Sequence, residues 1–416
     1  MYYFDRYADN SPFGSGVSFA PRISSGASLT NPYVGQASIP QFPLPFPRRG
    51  TSDGYFPLNG VYINNGLDVK PMYAQIWNLS VERQVGSNWM FSANYVGNKT
   101  THIWAAYEAN PGVAAPVSAN ALAGCTPGQA ASTSNINCRR TLYRMNPSQG
   151  QYFSNMTSLW DGANGSYNGL LLTARHRFSH NYTLMTNYNW SHCISDQDFT
   201  GELTNSRPTL YSSPLNAPDF HALANDRGNC GFDLRQNFNA SLVVSSPKFS
   251  GKLKSILLND WQLAPLISYR TGAFFTVLTG ADTALQSTTT AFKDRPNQIG
   301  DPMSGSCTVS GNSVPVGDRN CWFNTTAFQA PTSGTFGNVR RNSISGPGAF
   351  RFDASISRKI ELREGKELQL RLENFNVLNH PMLANPTATA NSANFGRILT
   401  QIGDGRTFQA AVKFIF

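Results

Sequence analysis

The chain contains no run of eighteen consecutive apolar residues, which excludes an ordinary transmembrane helix. Charge is scarce. Asp, Glu, Lys and Arg make up 14% of residues, against about a quarter in a typical soluble domain. There is no P-loop, G-x-G-x-x-G, H-E-x-x-H or G-x-S-x-G, so the common nucleotide, metalloprotease and hydrolase signatures are missing. No C-x-x-C occurs and no His stands at zinc-finger spacing, so a cysteine-based metal site is not expected. Met1 to Asn10 hold neither a basic segment nor an apolar one, so no secretory leader is expected within this chain.

What is present suits strands, turns and long loops: 12% aromatics, 35 glycines and 25 prolines in 416 residues. Bulk hydropathy reads as soluble, at a mean of −0.32. That does not exclude a membrane barrel, because only alternate strand residues face lipid. Net charge is +9, with basic residues scattered as pairs such as Arg48-Arg49, Arg139-Arg140, Arg340-Arg341 and Arg358-Lys359. A nucleic-acid footprint would be a coherent stripe, so these read as solvated loop and turn charges and no nucleic-acid partner is expected. Six cysteines fall as three near pairs, Cys125/Cys138, Cys193/Cys230 and Cys307/Cys321. An even count in Gly-, Ser- and Asn-rich loops suggests disulfides formed in an oxidising compartment.

The closing stretch carries most information. Phe408, Ala410, Val412, Phe414 and Phe416 fall on one face of a strand, and Thr407, Gln409, Ala411 and Lys413 on the other. Such a strand, ending on an aromatic, suits an outer-membrane barrel, whose strands need about 9–11 residues to cross. The same alternation recurs in hairpins over Tyr73–Val85 and Asn88–Lys99, Tyr167–Phe178 and Asn181–Trp190, Phe232–Ser246 and Asp260–Tyr269, and Phe350–Leu362 and Leu368–Asn379. Pro265 predicts a bulge or local break, and a slip of phase at Asn374-Phe375 predicts a bulge or the exit of that strand from the bilayer. The intervening connections alternate between short and long, Thr100–Ser166 and Arg270–Ala349 being the longest. That is the bacterial pattern of short periplasmic turns and long extracellular loops. Residues 1–72 read as the end of a preceding strand plus an extracellular loop. Residues 73–416 read as the last nine or ten strands of an all-β, antiparallel transmembrane barrel, open or partial by itself.

Several segments resemble the Oar-like TonB-dependent transporters. They are Ile76–Arg83, Tyr188–Ser191, Gly272–Val277, Arg341–Gly348, Arg371–Pro381 and the closing strand. The resemblance implies a twenty-two-stranded barrel, of which this chain looks like the last nine or ten strands, preceded by a plug and a periplasmic domain, neither of which is visible in this chain. It implies outer-membrane lipid, the barrel-assembly machinery and, through that plug, the TonB system as partners. Phe416 resembles the signal read by the assembly machinery.

Little chemistry stands out. The six histidines are dispersed; His176 and His180 lie across a strand-to-turn boundary, and His380 reads as part of a strand-exit motif. Asp161–Gly165 lacks the acidic ligands of a calcium loop and reads as a plain turn. The polar set expected to face the barrel lumen is Glu82, Arg175, Arg177, Asp353, Lys359, Arg371, Glu373 and Lys413. These charges either hydrate the interior and pair across strands, or line a substrate path or contact a plug. No enzyme activity and no cofactor is expected. The function expected is ligand uptake across the bacterial outer membrane. The alternatives are a passive porin-like channel, an adhesin working through the long loops, and a secreted soluble β-protein. The sequence does not name a ligand.

Overall fold

The computed structural model describes residues 60–65, 70–179, 181–196, 226–286, 294–362 and 365–416. Its frame is one large antiparallel sheet. We label β1 Gly60–Asn65, β2 Tyr73–Val85, β3 Trp89–Glu108, β4 Phe153–Ser179, β5 Tyr182–Ser195, β6 Gln236–Ser245, β7 Trp261–Arg270, β8 Ala349–Glu361, β9 Glu367–Phe375 and β10 Thr407–Ile415. Strands β2 to β10 pair strictly with their sequence neighbours, a meander without crossovers. Among the described residues β2 and β10 each have a partner on one side only, so the sheet is open.

Register makes the two faces continuous. Directly opposed residues share a face, so the ladders can be followed across the sheet. One row runs Val81, Ala93, Leu172, Tyr188 and Phe238. It continues through Tyr269 and Phe350. Nearer the other end, Leu263 opposes Ile356, which opposes Leu372, which opposes Ala410. Moving one residue along each strand turns this into Glu82 opposite Ser92, Thr173 opposite Asn187 and Asn239 opposite Ser268. Period-two alternation thus yields one apolar sheet face and one polar face. Large apolar side chains remain exposed on the first, with Leu79 at 65%, Val412 at 72% and Phe408 at 61%.

The sequence reading needs correction at two points, and at two others the structure settles an alternative it had left open. Thr100–Ser166 is not all loop. β3 and β4 continue to Glu108 and from Phe153, leaving 109–152 as the connection. The alternation fades there while backbone pairing persists, with register shifts between Thr100 and Ala105 and a left-handed His102. At ~3.3 Å per residue, the 27-residue β4 far exceeds a hydrocarbon core of about 30 Å, so this hairpin projects beyond it. Asp161–Gly165, read as a turn, lies inside β4. Pro265 causes no bulge, since the pairings flanking it with β6, Ser241 to Leu266 and Val244 to Leu263, share one register. Only a local gap in the ladder marks its missing N–H. Finally, β9 ends at Phe375 with no slip of register; the change of phase marks the strand's exit. β1 pairs in parallel with the outer part of β4, along the edge that β5 does not reach. His180 of the Ser179-His180 turn, and Arg363 and Glu364 at the start of the Arg363–Glu367 turn, lie outside the described residues.

The long connections fold into a cap over one end of the sheet. Its core is Phe275, Val277, Phe323, Val339 and Ile344, with Trp322, Phe328 and Phe395 packed against it. Phe323 meets Phe328 and Phe395 edge-on, with ring centres 5.7 and 5.1 Å apart. These residues come from the β7–β8 and β9–β10 connections. The chain joins them through Leu278 beside Thr389 and through the Trp322 N–H donating to the Gly396 carbonyl at 2.8 Å.

Candidate functional site

The polar sheet face and the cap above it form an extended polar surface that the strands organise. Across the middle of the sheet it is an amide and hydroxyl ladder. The Thr173 hydroxyl donates to Asn187 at 3.0 Å, the Asn239 amide donates to Asn237 at 3.1 Å, and Ser80 donates to Asn94. Charges lie towards both ends. By register, Glu82, Arg175, Asp353, Lys359, Arg371, Glu373 and Lys413 all fall on this face, and Arg177 follows Arg175 by alternation.

The structure pairs half of that set. Arg371 contacts Glu373 at 3.2 Å. Lys359 meets Glu367 at 3.8 Å. Asp353 holds Arg351 at 2.8 Å and also accepts the Asn376 N–H at 2.7 Å. That contact begins the β9 exit. The Asn376 side chain then accepts from the His380 N–H at 2.9 Å and donates to the His380 carbonyl at 3.1 Å, while its backbone takes a positive φ of 52°. His380 is thus part of a strand exit. Glu82, Arg175, Arg177 and Lys413 make no ion pair among the described residues. His176 lies on the opposite, apolar face, stacked on Tyr182 with ring centres 4.1 Å apart. Phe416 is 93% exposed beyond β10.

The cap is stapled. Cys125–Cys138, Cys193–Cys230 and Cys307–Cys321 are disulfides with Cα separations of 5.7, 5.4 and 5.7 Å. The first closes the β3–β4 connection on itself. The second ties the outer end of β5 to the segment entering β6. The third pins a small hairpin of the β7–β8 connection. Cap and sheet are also joined by buried ions, and here the reading of Arg139-Arg140 as solvated charges fails. Both side chains are fully buried. Arg140 lies 3.6 Å from Glu108, donates to Asn155 and Asn137 at 2.9 Å each and donates to the Asn110 carbonyl. Glu108 accepts the N–H groups of Asn110 and Met156 at 3.0 and 2.8 Å.

Arg139 donates to Asn135 at 2.7 Å and to the carbonyls of Ser132 and Leu285 at 2.7 and 3.3 Å. Burial pushes its pKa down from the usual guanidinium value, partly offset by Asp282. Arg295 forms a buried pair with Asp226 and donates to the Val339 carbonyl at 3.0 Å. Arg341 donates to the Asp226 carbonyl at 2.8 Å and the Ser195 hydroxyl at 2.9 Å. Asp294 accepts from Ala284 N–H at 2.7 Å and Thr283 hydroxyl at 3.0 Å. Burial still raises its pKa above the ordinary carboxylate value. No sequence signal distinguished these ions, because near partners such as Asn135 and Asn137 are joined by others 115 to 146 residues away.

Residues 1–409 match the outer membrane beta barrel domain family. The chain belongs to that family. It is therefore an outer-membrane protein whose apolar sheet face meets lipid and whose strands, not helices, cross the bilayer. Among the described residues no helix is long and apolar enough to cross. No curated protein matches the chain. Solved structures that match include the outer membrane transporter YddB from Escherichia coli, at 10% identity and a TM-score of 0.41 over 85% of this chain and 34% of that one. Another is the FrpB iron transporter from Neisseria meningitidis, at 12% identity and a TM-score of 0.36 over 84% of this chain and 32% of that one. The chain spans about a third of the length of these structures.

Proposed function

We propose that this chain is the C-terminal part of a larger outer-membrane barrel that takes up a ligand with energy delivered by the TonB system. The observation that carries the reading is the open sheet, with β2 and β10 each paired on one side only among the described residues. In lipid every unpaired backbone group costs several kcal/mol, so these edges call for further strands. The Oar-like segments favour a TonB-coupled barrel among the possible completions. In that barrel the polar face lines the lumen. Glu82, Arg175, Arg177 and Lys413, left without ion pairs among the described residues, are the charges available to a ligand or a plug. Residues 1–72 supply an extracellular loop, and Phe416 presents the assembly signal.

The test compares the 416-residue chain with the same chain joined to the segment encoded before it, both directed to the outer membrane. The longer protein is expected to give a heat-modifiable barrel and uptake that is lost when TonB is deleted. The chain alone is expected to give no monodisperse, protease-resistant monomer. A stable monomer of the chain alone with steady single-channel conductance would replace this reading with a small passive pore. A barrel that binds ligand at the cap without moving it would replace it with an adhesin.

A further inference from the structure

The connection between β6 and β7 differs from the tight Gly86 turn on the same side of the sheet. It folds a helix, α1, over Lys252–Leu258. Leu253, Ile256 and Leu257 are 72%, 55% and 55% exposed. On a helical wheel they fall within about 100°, with Lys252 and Lys254 bordering the stripe on either side. The stretch from Pro247 to Leu258 contains no Asp or Glu. Lys252 and Lys254 make no ion pair among the described residues, while Lys248 is held by Asp260 at 2.5 Å.

Two contacts fix where this helix lies. The Trp261 indole N–H donates to the Leu257 carbonyl at 2.8 Å, and Arg358 donates to the Ile256 carbonyl. The Arg358 guanidinium also sits over the Trp261 ring, 5.4 Å from its centre. Trp261 and Arg358 oppose each other in register, two residues along from the Leu263–Ile356 pair and so on the same face. Both therefore belong to the apolar, lipid-facing side of the sheet. The helix is therefore bound at the rim of that side, which places its exposed apolar stripe beside the lipid-facing surface. A protein partner would need about 600 Å² or more per side for even a small specific interface, which seven helical residues do not offer.

We propose that α1 is an interfacial anchor lying in the periplasmic leaflet of the outer membrane. Leu253, Ile256 and Leu257 enter the acyl boundary, and Lys252 and Lys254 bind anionic phospholipid headgroups. Short turns on this side of such barrels are periplasmic. Lysines flanking an apolar stripe are suited to that plane because their stems lie along hydrocarbon while the ammonium groups reach the headgroups. Each such lysine changes partitioning onto an anionic surface by roughly five-fold.

The test uses the full protein in vesicles of phosphatidylcholine with or without phosphatidylglycerol. A Leu253→Cys variant carries an environment-sensitive fluorophore at the new thiol. Its emission is expected to be blue-shifted, quenched by lipid-borne nitroxide and sheltered from aqueous iodide, more so with phosphatidylglycerol. Lys252→Gln with Lys254→Gln is expected to abolish that lipid dependence. Hydrogen exchange at residues 249–258 of the unmodified protein supplies a reading that needs no variant, with slower exchange expected when phosphatidylglycerol is present. Free iodide quenching and unchanged exchange in both vesicles would overturn the anchor. A blue shift that disappears on dilution without lipid quenching would show contact with a second copy, and would overturn it too. Lipid quenching that ignores phosphatidylglycerol and both glutamines would remove the headgroup role.

Discussion

The backbone of Gly272 rests against the carbonyl of Gly346, so closely that a Cβ on Gly272 would stand 1.8 Å from that oxygen. The neighbouring Gly346 N–H donates to the Ala273 carbonyl at 2.8 Å, and Phe274 and Phe275 pair with Ser345 and Ile344 just beyond. The two glycines let the β7–β8 connection leave the sheet and return to it at one point. Gly272→Ala therefore forces backbone away from backbone. We expect it to destabilise the cap by about 1–3 kcal/mol, measured as faster limited proteolysis of the connection in the folded protein. Gly300→Ala, where a Cβ meets only Ala327 at an ordinary 3.6 Å, should leave the rate unchanged.

Glu108 and Arg140 form a buried pair with each hydrogen-bonded by neighbouring backbone and amide groups. Removing one partner leaves the other charge buried alone, at a cost of about 3–5 kcal/mol. Glu108→Gln and Arg140→Met are each expected to loosen the 109–152 connection, read by hydrogen exchange. In the double substitution the loss should be clearly smaller than the sum. Strict additivity would show that the two residues do not act as a pair.

The two sheet faces should differ in their tolerance of charge. Leu172→Arg or Leu242→Arg places a cation against lipid and should cost ~2–4 kcal/mol near the membrane midplane. Asn187→Arg and Asn239→Arg, one residue away in phase, should cost much less. Equilibrium unfolding from vesicles measures both sets, and equal costs would contradict the assignment of faces.

Asp294 gives the cap a pH dependence. Burial raises its folded pKa above that of an unfolded aspartate, about 3.9. The folded state thus holds the proton more tightly. This contribution to stability is fully present below the unfolded value and is lost as pH rises through the folded one. Thermal unfolding followed between mild acid and neutrality should show the Asp294 contribution falling with rising pH. Asp294→Asn keeps an oxygen to accept from Ala284 and Thr283 and should flatten that part of the profile. An unchanged profile would show that Asp294 is not its source.

The sequence by itself determined the membrane-crossing parts of strands β2 to β10, their faces and their order. Each follows from period-two alternation and from turn chemistry, which are local. Strands with an apolar side every second residue, such as Tyr73–Val85 and Thr407–Ile415, admit one register once one face must be buried in lipid. The pairing of Cys125 with Cys138 and of Cys307 with Cys321 was legible for the same reason, since each closes a small loop, the cysteines standing 13 and 14 residues apart. Tertiary structure alone decided the cap. Arg139 and Arg140 resemble any exposed loop arginines until the Leu285 carbonyl and Asn155 close around them. Phe323 finds Phe275 and Phe395 only when separate connections fold together. Outside the bilayer no periodic solvent boundary writes burial into the sequence, so it is set by contacts between distant segments. The exposed stripe of α1 lies between these cases: its apolar spacing was in the sequence, but only Trp261 and Arg358 decided which side of the sheet it would lie on.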